Sequence, residues 1–287
     1  MKEKRVCFYH SADLDGHCSG AIVKYAHPET ELVGINYGDD YEEKVFSRVD
    51  KNTIVYMVDF CLQPFSLMER LSIEGAGLIW IDHHKTAIED SYRSKVYSFN
   101  GVRDENYAAC ELVWRWFNPP SPMPKAVHLL SRYDIWKWQD VPDALEFQFG
   151  MRLEDTDPAN NMHIWKELFR FEDIFIPDII KQGRTVLRYQ KQHNKKYAKS
   201  TTFELNWKGY NWIASNAQLT NSQLFDSVYD ETKHDGMLAF GWKKNKWVVS
   251  LYTTQDDVDC GGIAKSMGGG GHKQAAGFTC KDLPFEL

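Results

Sequence analysis

The chain has 287 residues, 43% hydrophobic and 14% aromatic, enough to core one large domain or two ordinary ones, and a net charge of −6. No apolar run approaches the roughly 18 residues of a membrane span, and a protein that coats duplex nucleic acid would usually be basic. Any nucleic-acid binding therefore falls to a local groove or to metal ions. The six cysteines, at 7, 18, 61, 110, 260 and 280, form no CxxC pair, which argues for reduced thiols in a cytoplasm and against a disulfide framework or zinc knuckle. The opening "MKEKRVCFYHSADLDG" has basic residues but no long apolar stretch, so no signal peptide is expected.

In chain order, "RVCFYH" reads as a strand, "GHCSGAIVKYAH" as a helix, "ELVGINY" and "NTIVYMVDF" as strands, "PFSLMERLSIEG" as a helix begun by proline, and "GLIWIDHH" as a strand. Short apolar runs alternating with helical patterns predict βαβ units and a parallel sheet buried on both faces. From Asn106 to about Phe169 the pattern is mostly helical, broken at "NPPSPMP" and "DTDPANN". "FEDIFIPDIIKQGRTVLRYQKQHNKKYAKS" reads as a long helix, increasingly basic through Arg184, Arg188, Lys191, Lys195, Lys196 and Lys199. After Ser200, "TTFELNWKGYNWIAS", "GMLAFGWKKNKWVVSLYTT" and "AAGFTC" read as hairpin strands, and "NSQLFDSVYDE" and "CGGIAKSM" as helices. The expected fold class is α/β: an N-terminal parallel-sheet domain over residues 1–180, a basic helical linker over 181–200 and a smaller α/β domain over 201–287. The tryptophans, including Trp114, Trp116, Trp136 and Trp138, are expected as core or domain-packing residues rather than as a base-stacking surface.

The chemistry-bearing residues sit at predicted strand ends. The first strand runs into His10, Asp13 and Asp15, the third ends at Asp59 and the fourth at Asp82, His83 and His84. Each has an ordinary reading alone. Asp13 and Asp15 suit a turn and helix N-cap, Asp59 suits a cap for the helix near Pro64, and the last three suit a solvated loop. Together they point elsewhere, because the carboxyl ends of neighbouring parallel strands share one crevice. Carboxylates at that density repel one another unless cations sit among them. Asp and His without Cys suit Mn²⁺ or Mg²⁺ better than structural Zn²⁺. Farther on, Gly268 to Gly271 can turn tightly and offer backbone N–H groups to an anion, with His272 and Lys273 beside them.

The combination of "HSADLDG", "VDF" and "DHH", followed by "MGGGGHKQAAGF", resembles the DHH phosphoesterase superfamily with its DHH-associated C-terminal domain, in order and across nearly the whole chain. The branch it resembles holds nano-RNases, cyclic-dinucleotide phosphodiesterases and RecJ-type exonucleases. The resemblance implies an active site in the cleft between the two domains, where two Mn²⁺ ions, with Mg²⁺ as an alternative, activate water for phosphodiester hydrolysis. It implies one ion on His10, Asp13 and Asp59, and another on Asp15, Asp59, His83 and Asp134, with Asp134 matched in "LLSRYDIWKW". Asp82 would orient a histidine behind the metals. His84 would face the substrate phosphate, and Gly269, Gly270, Gly271, His272 and Tyr252 would contact substrate. Two departures stand out. Only Ser11 and Ala12 separate His10 from Asp13, where the family commonly has one residue more, and Tyr252 stands where relatives often have an arginine. The expectation is a cytoplasmic, Mn-dependent phosphodiesterase of short single-stranded oligonucleotides or dinucleotides, with no membrane partner. No added basic single-strand-binding module is read after the second domain, which favours short substrates. The rival readings are a cyclic-dinucleotide phosphodiesterase, a RecJ-like exonuclease, an inorganic pyrophosphatase or polyphosphatase and, in another class, a catalytically silent nucleotide sensor or RNA-binding protein.

Overall fold

The structure is a computed structural model and describes residues 4–75, 77–94, 96, 98–117 and 122–286. Most of the expected break "NPPSPMP", residues 118–121, lies outside them. The chain divides into two compact units, Met1–Val186 and Leu187–Leu287.

The first unit contains β1 (Lys4–His10), α1 (Leu14–Ala26), β2 (Glu31–Ile35), α2 (Tyr41–Lys44), β3 (Thr53–Val58), α3 (Ser66–Glu74), β4 (Gly77–Ile81), α4 (Lys85–Tyr92), α5 (Ala109–Phe117), α6 (Lys125–Asp134), α7 (Ala144–Met151), α8 (Met162–Arg170) and the start of α9 (Glu172–Thr201). Its sheet is parallel, in the order β2-β1-β3-β4. The strands are apolar throughout because both faces are covered. Cys7, Tyr9, Tyr56, Val58 and Ile81 pack into one core with α1 and α5 to α9. Val6, Phe8, Val55, Met57, Leu78 and Trp80 pack into the opposite core with α3. The strand period of two sorts them. The order reverses between β1 and β3, so the crevice at their carboxyl ends is where a ligand is expected. A further segment bridges to β4 through Ile79 with Asn100 and Asp82 with Arg103, which pins the backbone of Asp82.

The second unit takes in the end of α9, β5 (Thr202–Trp207), β6 (Tyr210–Asn216), β7 (Gly236–Lys243), β8 (Lys246–Tyr252), α10 (Cys260–Ser266), β9 (Gly270–Gly271) and β10 (Ala275–Cys280). Its six-stranded sheet has the order β5-β6-β7-β8-β10-β9, antiparallel except for the β6–β7 pair. Trp207, Trp212, Phe240, Val249, Leu251 and Phe278 fill one face, and Ala198, Ile213, Phe225, Met237 and Ala239 the other.

One expectation is corrected. "NSQLFDSVYDE" forms a single 3₁₀ turn, Ser222–Leu224, rather than a helix. The Asn221 side chain accepts from Gln223 N and sets that turn, and Leu224 and Phe225 are already buried there. The short helix α4 directly after the two histidines was not anticipated. Trp114 is buried, whereas Trp136 is 39% exposed.

Candidate metal centre

His10 is the last residue of β1, Asp59 follows β3, and Asp82 and His83 follow β4, so the parallel register delivers them to one end of the sheet. Asp13 is the N-cap of α1, its Oδ1 accepting from Gly16 N at 2.9 Å. Gly16 is required there, because a Cβ would overlap the His10 carbonyl. The Asp13 cap leaves Oδ2 turned to His10 Nδ1 at 3.1 Å.

Asp59 lies at the middle of the cluster. It is 1% exposed and has φ of +55°, a left-handed conformation that Asp tolerates better than most side chains. Its carboxylate caps nothing, unlike the reading that gave it to the helix near Pro64. Its two oxygens face different partners. Oδ2 is 3.7 Å from His10 Nδ1, while Oδ1 is 3.4 Å from His83 Nε2 and 3.9 Å from His84 Nδ1. His83 Nε2 is also 3.6 Å from Asp15 Oδ2 and 3.3 Å from Asp134 Oδ2. One N–H cannot donate to three carboxylates at once. Neither oxygen of Asp59 nor Oδ2 of Asp134 has a hydrogen-bond partner among the described residues. Buried polar oxygens are ordinarily satisfied, and leaving one without a partner costs about 1–3 kcal/mol. A cation among them removes that cost. The donor set is oxygen and imidazole without thiolate, which suits Mn²⁺ or Mg²⁺. Three candidate groups share Asp59: His10 with Asp13, Asp15 with His83, and Asp82 with His84. Asp134 joins the second through its 3.3 Å approach to His83.

The electrostatics show how crowded the charges are. Burial pushes the Asp15 carboxyl well above its usual range, and Asp59 and Asp134 push it further. Burial, with Asp59 and Asp13 adding to it and His83 opposing, raises Asp134 to about 6. Burial would raise Asp59 too, but His10 and His83 hold it well below the usual carboxylate range. Burial would lower His10, yet Asp13 and Asp59 raise it to about 11. In the metal-free protein, imidazolium protons offset part of the carboxylate charge.

Asp82 has a different job. It is fully buried, and Oδ1 accepts from His84 Nδ1 at 2.7 Å, His83 N at 2.7 Å and His84 N at 3.2 Å, while Oδ2 accepts from Trp80 Nε1 at 3.2 Å. It fixes the ring of His84. Burial would lower the pKa of His84, and Asp82 raises it instead.

In the second unit the glycines have a packing reason. A Cβ at Gly269 would overlap the Gly277 carbonyl, and Gly271 has φ of +137°. The N–H groups of Gly268, Gly269 and His272 already donate to Lys265, Ala264 and Ala275 carbonyls, so the turn offers an anion fewer donors than four glycines suggest. Tyr252 packs beside Met237 and Phe225, and its hydroxyl donates to Thr220 O at 3.3 Å.

Sequence reading missed one contact of consequence. Both oxygens of Asp15 accept from the first turn of α5, Oδ2 from Ala109 N and Oδ1 from Cys110 N, each at 2.8 Å. The partners are more than ninety residues away in sequence, and nothing local to Asp15 signals them.

No family model matches the chain. It is 27% identical over 98% of its length to the uncharacterized protein R106 of Acanthamoeba polyphaga mimivirus, covering 69% of that protein. It is 23% identical over 97% of its length to the oligoribonuclease NrnB of Bacillus subtilis, covering 74% of it. Among solved structures, it superposes on the DHH domain of a member of a ribosomal-protein family with a TM-score of 0.54 and 14% identity, covering 96% of this chain and 82% of that one. The fold is that of the DHH-domain proteins. Within this DHH fold, the short link through Ser11 and Ala12 still brings His10 within ion-pair distance of Asp13. Ser11 is held by its own N–H to Ile35 O at 3.1 Å, and its hydroxyl accepts from Asn36 Nδ2 at 2.8 Å. Among the described residues, no helix of this DHH-fold chain is long and apolar enough to cross a membrane.

Proposed function

We propose that this protein is a metal-dependent phosphodiesterase that hydrolyses short single-stranded oligonucleotides. The observation that carries the reading is the buried Asp59 carboxylate, whose two oxygens have no hydrogen bond among the described residues and face two different His/Asp sets. Asp59 would serve two divalent cations, Mn²⁺ by preference: one with His10 and Asp13, the other with Asp15, His83 and Asp134. Bound there, such ions neutralise charge on phosphoryl oxygens and lower the pKa of attacking water. Asp82 holds His84 by Nδ1 and keeps a proton on that ring, which suits it to donate to a phosphoryl oxygen. The glycine turn, His272 and Tyr252 are assigned to substrate rather than metal on the strength of the sequence resemblance. The oligoribonuclease name of one relative agrees with a nucleic-acid substrate.

A net charge of −6 favours short substrates, because long single strands are tracked by extended basic grooves. The test is turnover of a dinucleotide, a longer single strand and a cyclic dinucleotide with Mn²⁺ at two ionic strengths. The expected result is fastest turnover of the dinucleotide with a shallow salt dependence, since few phosphate contacts release few counterions. Faster, steeply salt-sensitive digestion of the long strand would make the protein an exonuclease instead. Exclusive turnover of the cyclic substrate would make it a signalling phosphodiesterase, and no turnover of any would return it to a silent sensor.

A further inference from the structure

We infer that Tyr37 is a nucleobase-stacking platform beside the metal centre, holding a base of the nucleotide whose phosphate is attacked; the inference rests on the phosphodiesterase reading above. Tyr37 lies just past β2, at the carboxyl end of the sheet, and is 55% exposed. Exposure alone would say little. Three further observations give the ring a purpose.

The first is its floor. The Tyr37 ring lies over Phe60 with centroids 4.5 Å apart and planes 35° from parallel. Phe60 is fully buried. One face of the tyrosine is thus spent on a fixed support, and its exposed area belongs to the opposite face and edge. The second is its place. Phe60 follows Asp59 in sequence, and the Tyr37 centroid is 6.0 Å from that of His10. A base joined through one sugar to a phosphate at the cluster falls within that neighbourhood. The third is rigidity. Asn36 N–H donates to Asp39 Oδ2 at 2.8 Å, Asn36 Nδ2 donates to Ser11 Oγ at 2.8 Å, and Lys44 pairs with Asp39 at 2.9 Å. Gly38, with φ of +90°, makes the turn that these contacts close. The loop is therefore ordered before any ligand arrives, and a preorganised contact loses less free energy on binding.

A tyrosine face accepts any base, because every base has a π-face. The site should thus require a planar base and care little which one. The experiment uses the full chain with Mn²⁺ and three substrates: the dinucleotide pApA and two analogues, each lacking one base. For one of the two positions, wild-type protein should prefer the base-bearing substrate by about 10- to 100-fold in kcat/KM, mainly through KM. That preference should shrink toward unity in Tyr37→Ala and Tyr37→Leu and persist in Tyr37→Phe. A readout without metal is the fluorescence of a dinucleotide carrying 2-aminopurine at that position, titrated with EDTA-treated protein. Quenching is expected with wild type and Tyr37→Phe and should be lost with Tyr37→Leu. Base preference in Tyr37→Leu equal to wild type, or quenching retained there, would overturn the platform alone. Failure of wild-type protein to cleave bis(p-nitrophenyl) phosphate with Mn²⁺ would count against the phosphodiesterase reading instead.

Discussion

Replacing Asp59 by asparagine keeps the shape of the side chain and removes its charge, while alanine removes both. The backbone separates the two variants. At φ of +55°, asparagine is among the few residues that fit, whereas alanine pays roughly 1–2 kcal/mol for a left-handed conformation. In EDTA, both variants lose the charge that His10 and His83 balance, and with it the repulsion that Asp59 exerts on Asp15 and Asp134. Among the described residues neither carboxylate oxygen has a hydrogen bond to lose, and the two variants lose the same charge. His10 keeps Asp13 at 3.1 Å, and His83 keeps Asp134 at 3.3 Å. Asp59→Ala should sit about 1–2 kcal/mol below Asp59→Asn, the cost of its backbone. Cation changes the comparison. At a hundredfold excess over Kd, binding stabilises the wild type by about 2.7 kcal/mol. At roughly 2–4 °C per kcal/mol for a chain of this size, its Tm should rise about 5–11 °C. Both variants should show almost no rise, because one residue supplies an oxygen to each set of ligands. The assay is thermal denaturation in EDTA and in stepped Mn²⁺, with metal analysis after gel filtration. A wild-type-sized Mn²⁺ shift in Asp59→Asn would refute the bridging role. Equal melting of the two variants in EDTA would refute the backbone argument.

Three other outcomes follow from contacts within the two units. Asp82→Asn should lower the pKa of His84 and cut kcat about 10- to 100-fold while leaving Mn²⁺ stoichiometry intact; a parallel loss of metal would show that Asp82 is itself a ligand. Glu111 is buried on α5 and bonded to Arg115 and Arg132, each at 2.6 Å. Burial would raise its pKa, but Ser131 and Arg132 hold it below the usual range. Its contribution is thus present above the unfolded carboxyl pKa and lost as pH falls through the lower folded value, so Glu111→Gln should cost about 3 kcal/mol near neutral pH and progressively less in acid. A penalty that is constant in urea melts from pH 7 to 3 would contradict that assignment. Gly269→Ala should destabilise the second unit by pushing β10 away at the Gly277 carbonyl, read as a lower melting temperature with first-unit metal binding retained; an unchanged melt would exclude the close approach.

Legibility differed by the kind of force involved. The strands of the first unit could be read because burial on both faces leaves uninterrupted apolar runs, and a run that ends abruptly in Asp or His announces its own terminus. The same logic exposed His10, Asp59 and the Asp82–His84 triplet. Asp134 was reachable only through family resemblance, since an aspartate ending a helix is ordinary by itself. The helix expected at "NSQLFDSVYDE" had the right apolar spacing, but one turn was enough to bury Leu224 and Phe225. Neither the grip of α5 on Asp15 nor the support of Phe60 beneath Tyr37 leaves a local trace, because both are set by distant backbone meeting at the sheet edge.

The bond between Asp15 and α5 makes that helix a tuning element. Two amides at a helix N-terminus draw electron density from a carboxylate that a cation would also claim. A change in the first turn of α5 can alter how strongly Asp15 donates without touching any ligand. Proline at position 109 would remove one of the two N–H donors at a place where helices accept proline. On the proposed reading, cation affinity would then drift through residues that never meet the cation, and a chain with its full complement of acids and histidines would still differ from its relatives in how readily it fills.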